Sequence, residues 1–101
     1  MKVLNIKDAP INWKNDNNYV YCGRPSKFGN PFSSKENSLA QFKVKNRTEA
    51  IQKHWEWLLD NEELCDEVLK LEGKTLLCFC KPKACHCDNF VKLLRESKGL
   101  F

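Results

Sequence analysis

GKTLLCFCKPKACHCD, residues 73–88, is the stretch that decides the fold. Thr75 to Cys80 is apolar apart from its first residue and follows a helix-ending Gly73, so it reads as a buried central strand. Pro82 bars the continuation of regular structure. The strand therefore gives way to a loop crowded with Cys80, Cys85, His86, Cys87 and Asp88. A helical pattern resumes at about Asp88 and runs to Ser97, with Phe90, Val91 and Leu94 apolar and Asp88 able to cap it. In α/β proteins ligands bind where strand ends meet helix starts, which directs attention to this loop.

Toward the N-terminus, Lys2 to Ile6 reads as a short edge strand and Tyr19 to Cys22 as a second strand. The turn-rich KDAPINWKNDNN between them leaves Ile11 and Trp13 as anchors. Then comes GRPSKFGNPF, residues 23–32, too irregular for a helix or strand and too apolar for an idle surface loop. Pro25 and Pro31 stiffen it. Arg24 and Lys27 present donors suited to a carboxylate or phosphate, and Asn30 carries a mixed donor and acceptor head. The alternative is a shaped loop whose phenylalanines plug the core while its charges face water.

Residues 33–45 show mixed periodicity and read as a variable loop or short helix over the sheet. Asn46 and Glu49 form an N-x-x-E capping pair that opens a helix carrying Ile51, Trp55 and Leu58 or Leu59. His54 reads as a packing or helix-surface residue, and Trp57 as an edge residue. Asp60 and Glu63 repeat the capping signature and start a second helix through Leu64, Val68 and Leu71, whose acidic first turn complements the helix dipole. Cys65 reads as a small buried hydrophobe, and Gly73 closes this helix. The predicted architecture is one α/β domain over 1–101, two- or three-layered, with a short, mostly parallel sheet and about three helices.

The 101 residues are 42% hydrophobic, which suits a folded globule. Four of the six cysteines fall between Cys78 and Cys87, a placement unlike a disulfide framework. No secretory leader or membrane-length apolar run is read, so a cytoplasmic, reducing setting without membrane contact is expected. The net charge of +4 is uneven: +6 over residues 1–55, −6 over 56–72 and +4 over 73–101. Basic ends raise the local concentration of anions. No Lys/Arg run has the density of a dedicated nucleic-acid surface.

Three chemistries compete for the Cys–His loop. The first is a metal, zinc if any, held by Cys80, Cys85, His86 and Cys87, with Cys78 or Cys22 approaching from the sheet. Its C-x-C-x4-C-H-C spacing is compressed relative to zinc knuckles, and three adjacent side chains do not readily converge on one ion, so no cofactor is expected. The second is catalysis, with Cys85 as nucleophile before a helix N-terminus and His86 as its neighbour, the imidazole oriented by Asp88 or a backbone group. The third is packing, with inert thiols and a loop-fixing histidine. No C-x-x-C occurs, which argues against a thioredoxin-like centre.

YCGRPSKFGNPF at 21–32 and the 73–88 stretch together resemble the signatures of domain of unknown function 4326, a family of small bacterial and phage proteins. The pattern runs G-R-x-S-x-aromatic-G-N-P-F, then an E-A-I helix ending in W-L, then G-K-x-L-x-C-aromatic-C-x-P-x-x-C-H-x-D. The matching positions are Gly23, Arg24, Ser26, Gly29, Asn30, Pro31, Phe32, Trp57, Cys78, Cys80, Pro82, Cys85, His86 and Asp88. Cys22 stands where the pattern has an aliphatic residue and Cys87 where it has glycine, so the resemblance implies that neither is an essential ligand of a site shared by the family, which weakens a four-ligand zinc reading. The resemblance implies no reaction, but it implies that the two loops meet and adds Ser26 to the binding candidates. The leading expectation is a domain that binds, and is able to process, a nucleotide-like or other phosphorylated small molecule. Its binding residues are Arg24, Ser26, Lys27 and Asn30, with His86, Cys85 and Asp88 as catalytic candidates. The alternative is a phage-type effector module binding a host protein or nucleic acid.

Overall fold

The computed structural model describes residues 1–24, 26–33 and 42–99. Among them are five strands, β1 (Lys2–Asn5), β2 (Tyr19–Tyr21), β3 (Phe32–Ser33), β4 (Phe42–Lys43) and β5 (Thr75–Cys78). Three α-helices accompany them: α1 (Arg47–Leu59), α2 (Glu62–Leu69) and α3 (Cys87–Gly99). The apolar TLLC run forms the central strand of a three-stranded sheet in the order β1-β5-β2, and both neighbours run parallel to it. β3 and β4 form a separate parallel pair. The fold is a small α/β domain.

Alternation along β5 sorts the two faces of the sheet. Leu76 and Cys78 point into the core cluster, as do Val3 and Val20, which lie opposite Leu76 in the two flanking strands. All three helices supply that cluster: Leu58 from α1, Leu64 and Val68 from α2, Cys87 and Phe90 from α3. Leu77 is buried on the other face, in register with Leu4 and Tyr21. Trp13 lies against Tyr21 there, with ring centroids 6.3 Å apart. The helices thus form one layer and the sheet the other.

The ends of the elements follow local chemistry. Asn46 caps α1 by accepting from the Glu49 amide (2.8 Å), while the Glu49 carboxylate takes the Lys45 amide (3.2 Å). Gly73 adopts φ +84°, a left-handed conformation that costs glycine nothing and reverses the chain into β5. Asn5 ends β1 and donates to the carbonyls of Phe79 (3.3 Å) and Lys81 (2.8 Å), pinning the loop that leaves β5. The Lys81–Pro82 peptide in that loop is cis.

Several expectations are corrected. The central strand ends at Cys78 rather than Cys80, because the loop to Pro82 begins at Phe79, which is exposed. α2 is capped by Asn61, which accepts from the Leu64 amide (3.2 Å); Asp60 instead closes α1. Ile11 anchors nothing and is fully exposed, while Trp13 is half-buried. Of the two readings of His54, packing is the one realised: it is wholly buried, since the inward row of α1 is Ala50, His54 and Leu58. Within 33–45, Ser33 and Phe42–Lys43 are strand residues, and 34–41 lie outside the described residues.

Candidate functional site

The C-terminal ends of β1, β2 and β5 open into a cleft of about 750 Å³. Arg24 and Asn30 line it from the loop after β2, Phe79 to His86 line it from the loop after β5, and Arg47, Ala50 and Ile51 line it from the first turns of α1. The two loops picked out in the sequence therefore share one cavity. Five cations border it, Lys7, Arg24, Arg47, Lys81 and Lys83, with no aspartate or glutamate among the described lining residues. Lys81 pairs with Asp88 at 2.7 Å; the other four have no carboxylate partner among the described residues.

Arg24 is held by its own loop, one guanidinium nitrogen donating to the carbonyl of Asn30 (3.0 Å) and more distantly to that of Phe32 (3.5 Å). The fork keeps further N–H donors for a guest. Gly23 makes this possible by close approach: a methyl group there would collide with the Tyr21 ring, whose hydroxyl donates to the Arg24 carbonyl (3.2 Å). Arg47 donates to the Ala84 carbonyl (3.3 Å) and lies beside the Cys80 thiol. Sequence reading missed Arg47 as a site residue. Its only signal was its place directly after a helix cap, and nothing local says which loop that helix end will face.

His86 joins the two loops. Its Nε2 lies 2.8 Å from the carbonyls of both Cys22 and Phe28, so that nitrogen must carry a proton. Its Nδ1 faces the Cys85 sulfur at 3.6 Å. Burial works against a charge on this ring, but Cys85 and the two carbonyls hold its pKa above the ordinary histidine value. Beside it, His54 is pushed down to about 3, first by burial and then by the neighbouring His86. The His54 Nδ1 accepts from Asn89 (2.9 Å), and its Nε2 has no partner among the described residues. The backbone option for orienting His86 is the one realised. Asp88 instead accepts from the Cys85 amide (3.1 Å) and from Lys81.

The thiols form a cluster of their own. Cys78, Cys85 and Cys87 bring their sulfurs within 4.8 Å of one another, all three buried, so this trio is able to hold a metal ion. As expected, the adjacent residues 85–87 do not all converge on one point. Cys85 and Cys87 do, joined by Cys78 from β5, while the Nε2 of the imidazole between them is taken by the two carbonyls. The group that converges is Cys78, Cys85 and Cys87 rather than Cys80, Cys85 and His86. Hydrogen bonds from Cys80 and Cys87 hold Cys85 well below the usual thiol range against the opposing effect of burial. Cys78 is drawn down to about 7, chiefly by Cys87, while Cys80 and Cys87, the donors, are pushed up. All six cysteines are free.

Two binding candidates lie elsewhere. Lys27 pairs with Glu67 on α2 at 2.6 Å, outside the cleft. Ser26 does not line the cleft either; its hydroxyl is buried without a partner among the described residues. Asn30 lines the cavity, but its head group is committed, donating to Ala50 O (3.3 Å) and accepting from the Phe32 amide (2.9 Å). The amides of Cys85 and Asp88 at the start of α3 are taken up by the Asp88 carboxylate and the Cys85 carbonyl, so neither is left for an anion.

Fold and site together define a small parallel α/β domain with a cation-lined cleft at the carboxyl edge of its sheet. A family model described as domain of unknown function (DUF4326) matches residues 6–96, and the chain belongs to that family. No curated protein and no solved structure matches it. No helix among the described residues is long and apolar enough to cross a membrane.

Proposed function

We propose that this protein binds a phosphorylated small molecule of nucleotide type in the cleft between the 23–32 and 80–88 loops. One observation carries the reading: five cations and no described carboxylate line a cavity at the carboxyl ends of parallel strands. Its volume of about 750 Å³ suits a nucleotide-sized guest. Arg24 and Arg47 supply planar donor forks matched to phosphate. At the rim Phe79 is 66% exposed and meets Tyr21 edge-on, with centroids 5.9 Å apart, offering a base an aromatic surface.

Binding rather than turnover is the core of the proposal. His86 has both nitrogens engaged inside the protein, and Cys85 is 1% exposed. A group that moves a proton on a guest must reach it. The reducing cytoplasm is the proposed setting, and the free thiols support it.

The test is a thermal-shift screen against nucleoside mono- and diphosphates, sugar phosphates and cyclic dinucleotides, with calorimetry on each hit. Arg24→Ala and Arg47→Ala are each expected to weaken binding about 10-fold or more, the worth of a charged hydrogen bond. Lys27→Ala should leave it unchanged. Wild-type affinity in both arginine variants would remove the cleft as the site. Salt-dependent retention of single-stranded nucleic acid, without small-molecule binding, would replace this reading with the effector alternative.

A further inference from the structure

We propose that Cys78, Cys85 and Cys87 form a zinc site beneath the cleft, independent of whether the cleft takes a phosphorylated guest. The three sulfurs come from two separate places in the chain, the end of β5 and the turn into α3, and converge to within 4.8 Å. A tetrahedral zinc thiolate has metal–sulfur bonds of about 2.3 Å, which sets its sulfurs about 3.8 Å apart. The trio therefore needs to close by no more than about 1 Å. The side chains are 1%, 1% and 0% exposed, so water does not compete for them.

The chemistry of the donors favours a soft cation. S–H is a weak hydrogen-bond donor, and here three buried thiols face one another. A thiolate is the metal-binding form, and zinc takes up thiolates while releasing their protons to solvent. Cys22 is buried nearby, but its thiol donates to the Val20 carbonyl (3.6 Å) and its sulfur is not one of the three that converge, so the trio alone is assigned to the ion. His86 stays outside the ligand set, because its Nε2 is held by two carbonyls and neither ring nitrogen is among the ligand atoms that converge within 4.8 Å. Cys80 also stays outside, its thiol lying beside Arg47 on the cleft side. Cys78 and Cys85 themselves line the cleft, so the metal would brace its floor.

Cobalt(II) titration of the reduced, metal-stripped protein tests the assignment, because sulfur-to-cobalt charge transfer reports thiolate ligation directly. The expected result is one equivalent bound, with intense thiolate bands that one equivalent of zinc abolishes. Cys78→Ser and Cys87→Ser should each lower cobalt affinity by roughly 100-fold or more, since changes merely adjacent to metal ligands already cost about 10- to 100-fold. Cys65→Ser, a thiol outside the trio, should bind as wild type. Absence of the bands from the wild-type protein, which needs no folded variant, would overturn the proposal. So would a Cys87→Ser spectrum identical to wild type, or an equal loss in Cys65→Ser.

Discussion

At His86 the proton on Nε2 is fixed by two carbonyl acceptors, those of Cys22 and Phe28, each 2.8 Å away. Removing the ring leaves both buried oxygens unpaired and a hole beside Phe90, whose ring centroid is 5.7 Å off. His86→Ala is expected to cost about 3–5 kcal/mol, read as a lower urea midpoint, through lost hydrogen bonds and cavity formation. His54 makes a different prediction. Its folded pKa of about 3 lies below the unfolded value of 6.5, so the unfolded chain holds more protons between those limits. The stability it confers is complete above pH 6.5 and is lost as pH falls toward 3. The groups facing it are Asn89, Trp57, Phe90, His86 and Cys85. The raised pKa of His86 acts in a higher window: its contribution is full below its unfolded value and fades as pH rises through the folded one. His54 alone should therefore make the protein about 2 kcal/mol less stable at pH 5 than at pH 7, partly offset by His86, and the slope should fall accordingly in His54→Gln. Equal slopes in the two proteins would contradict the buried, neutral assignment.

Among the elements, the two helix starts separate what sequence shows from what it hides. Asn46 and Glu49 are spaced as a capping pair and act as one. Asp60 and Glu63 have the same spacing, yet the cap is Asn61, because α1 runs on through Leu59 and consumes Asp60 as its terminus. Asn61→Ala should cost about 1 kcal/mol and Asp60→Ala less than about 0.5, measured by chemical denaturation. β5 was legible from its apolar run, and its parallel neighbours from short β-rich runs separated by long connections. The end of β5 was not, since Phe79 and Cys80 look equally fit for a strand until Asn5, more than seventy residues earlier, binds the carbonyls of Phe79 and Lys81. Likewise nothing local predicts that Arg47 faces Ala84 or that Cys78 meets Cys87. Those pairings depend on how α1 and α3 pack over the sheet. Lys27 failed as a cleft residue for a related reason: a basic residue in a shaped loop looks the same whether it faces a guest or Glu67.

For the whole molecule, the uneven charge of the sequence becomes spatial. The acidic stretch 56–72 contains α2, which takes Lys27, while the basic ends supply Lys7, Arg24, Arg47, Lys81 and Lys83 to the cleft. A screened electrostatic attraction of this kind should weaken as salt rises, because the cleft is open to solvent. The most direct check is an amide chemical-shift titration of the 15N-labelled protein with adenosine diphosphate at low and high salt. Shifts should concentrate at Arg24, Arg47, Phe79, Lys81 and Lys83, shrink at high salt and spare α2. Shifts confined to α2 and Lys27, or none at millimolar nucleotide, would contradict the assignment of the cleft as a phosphate-binding site.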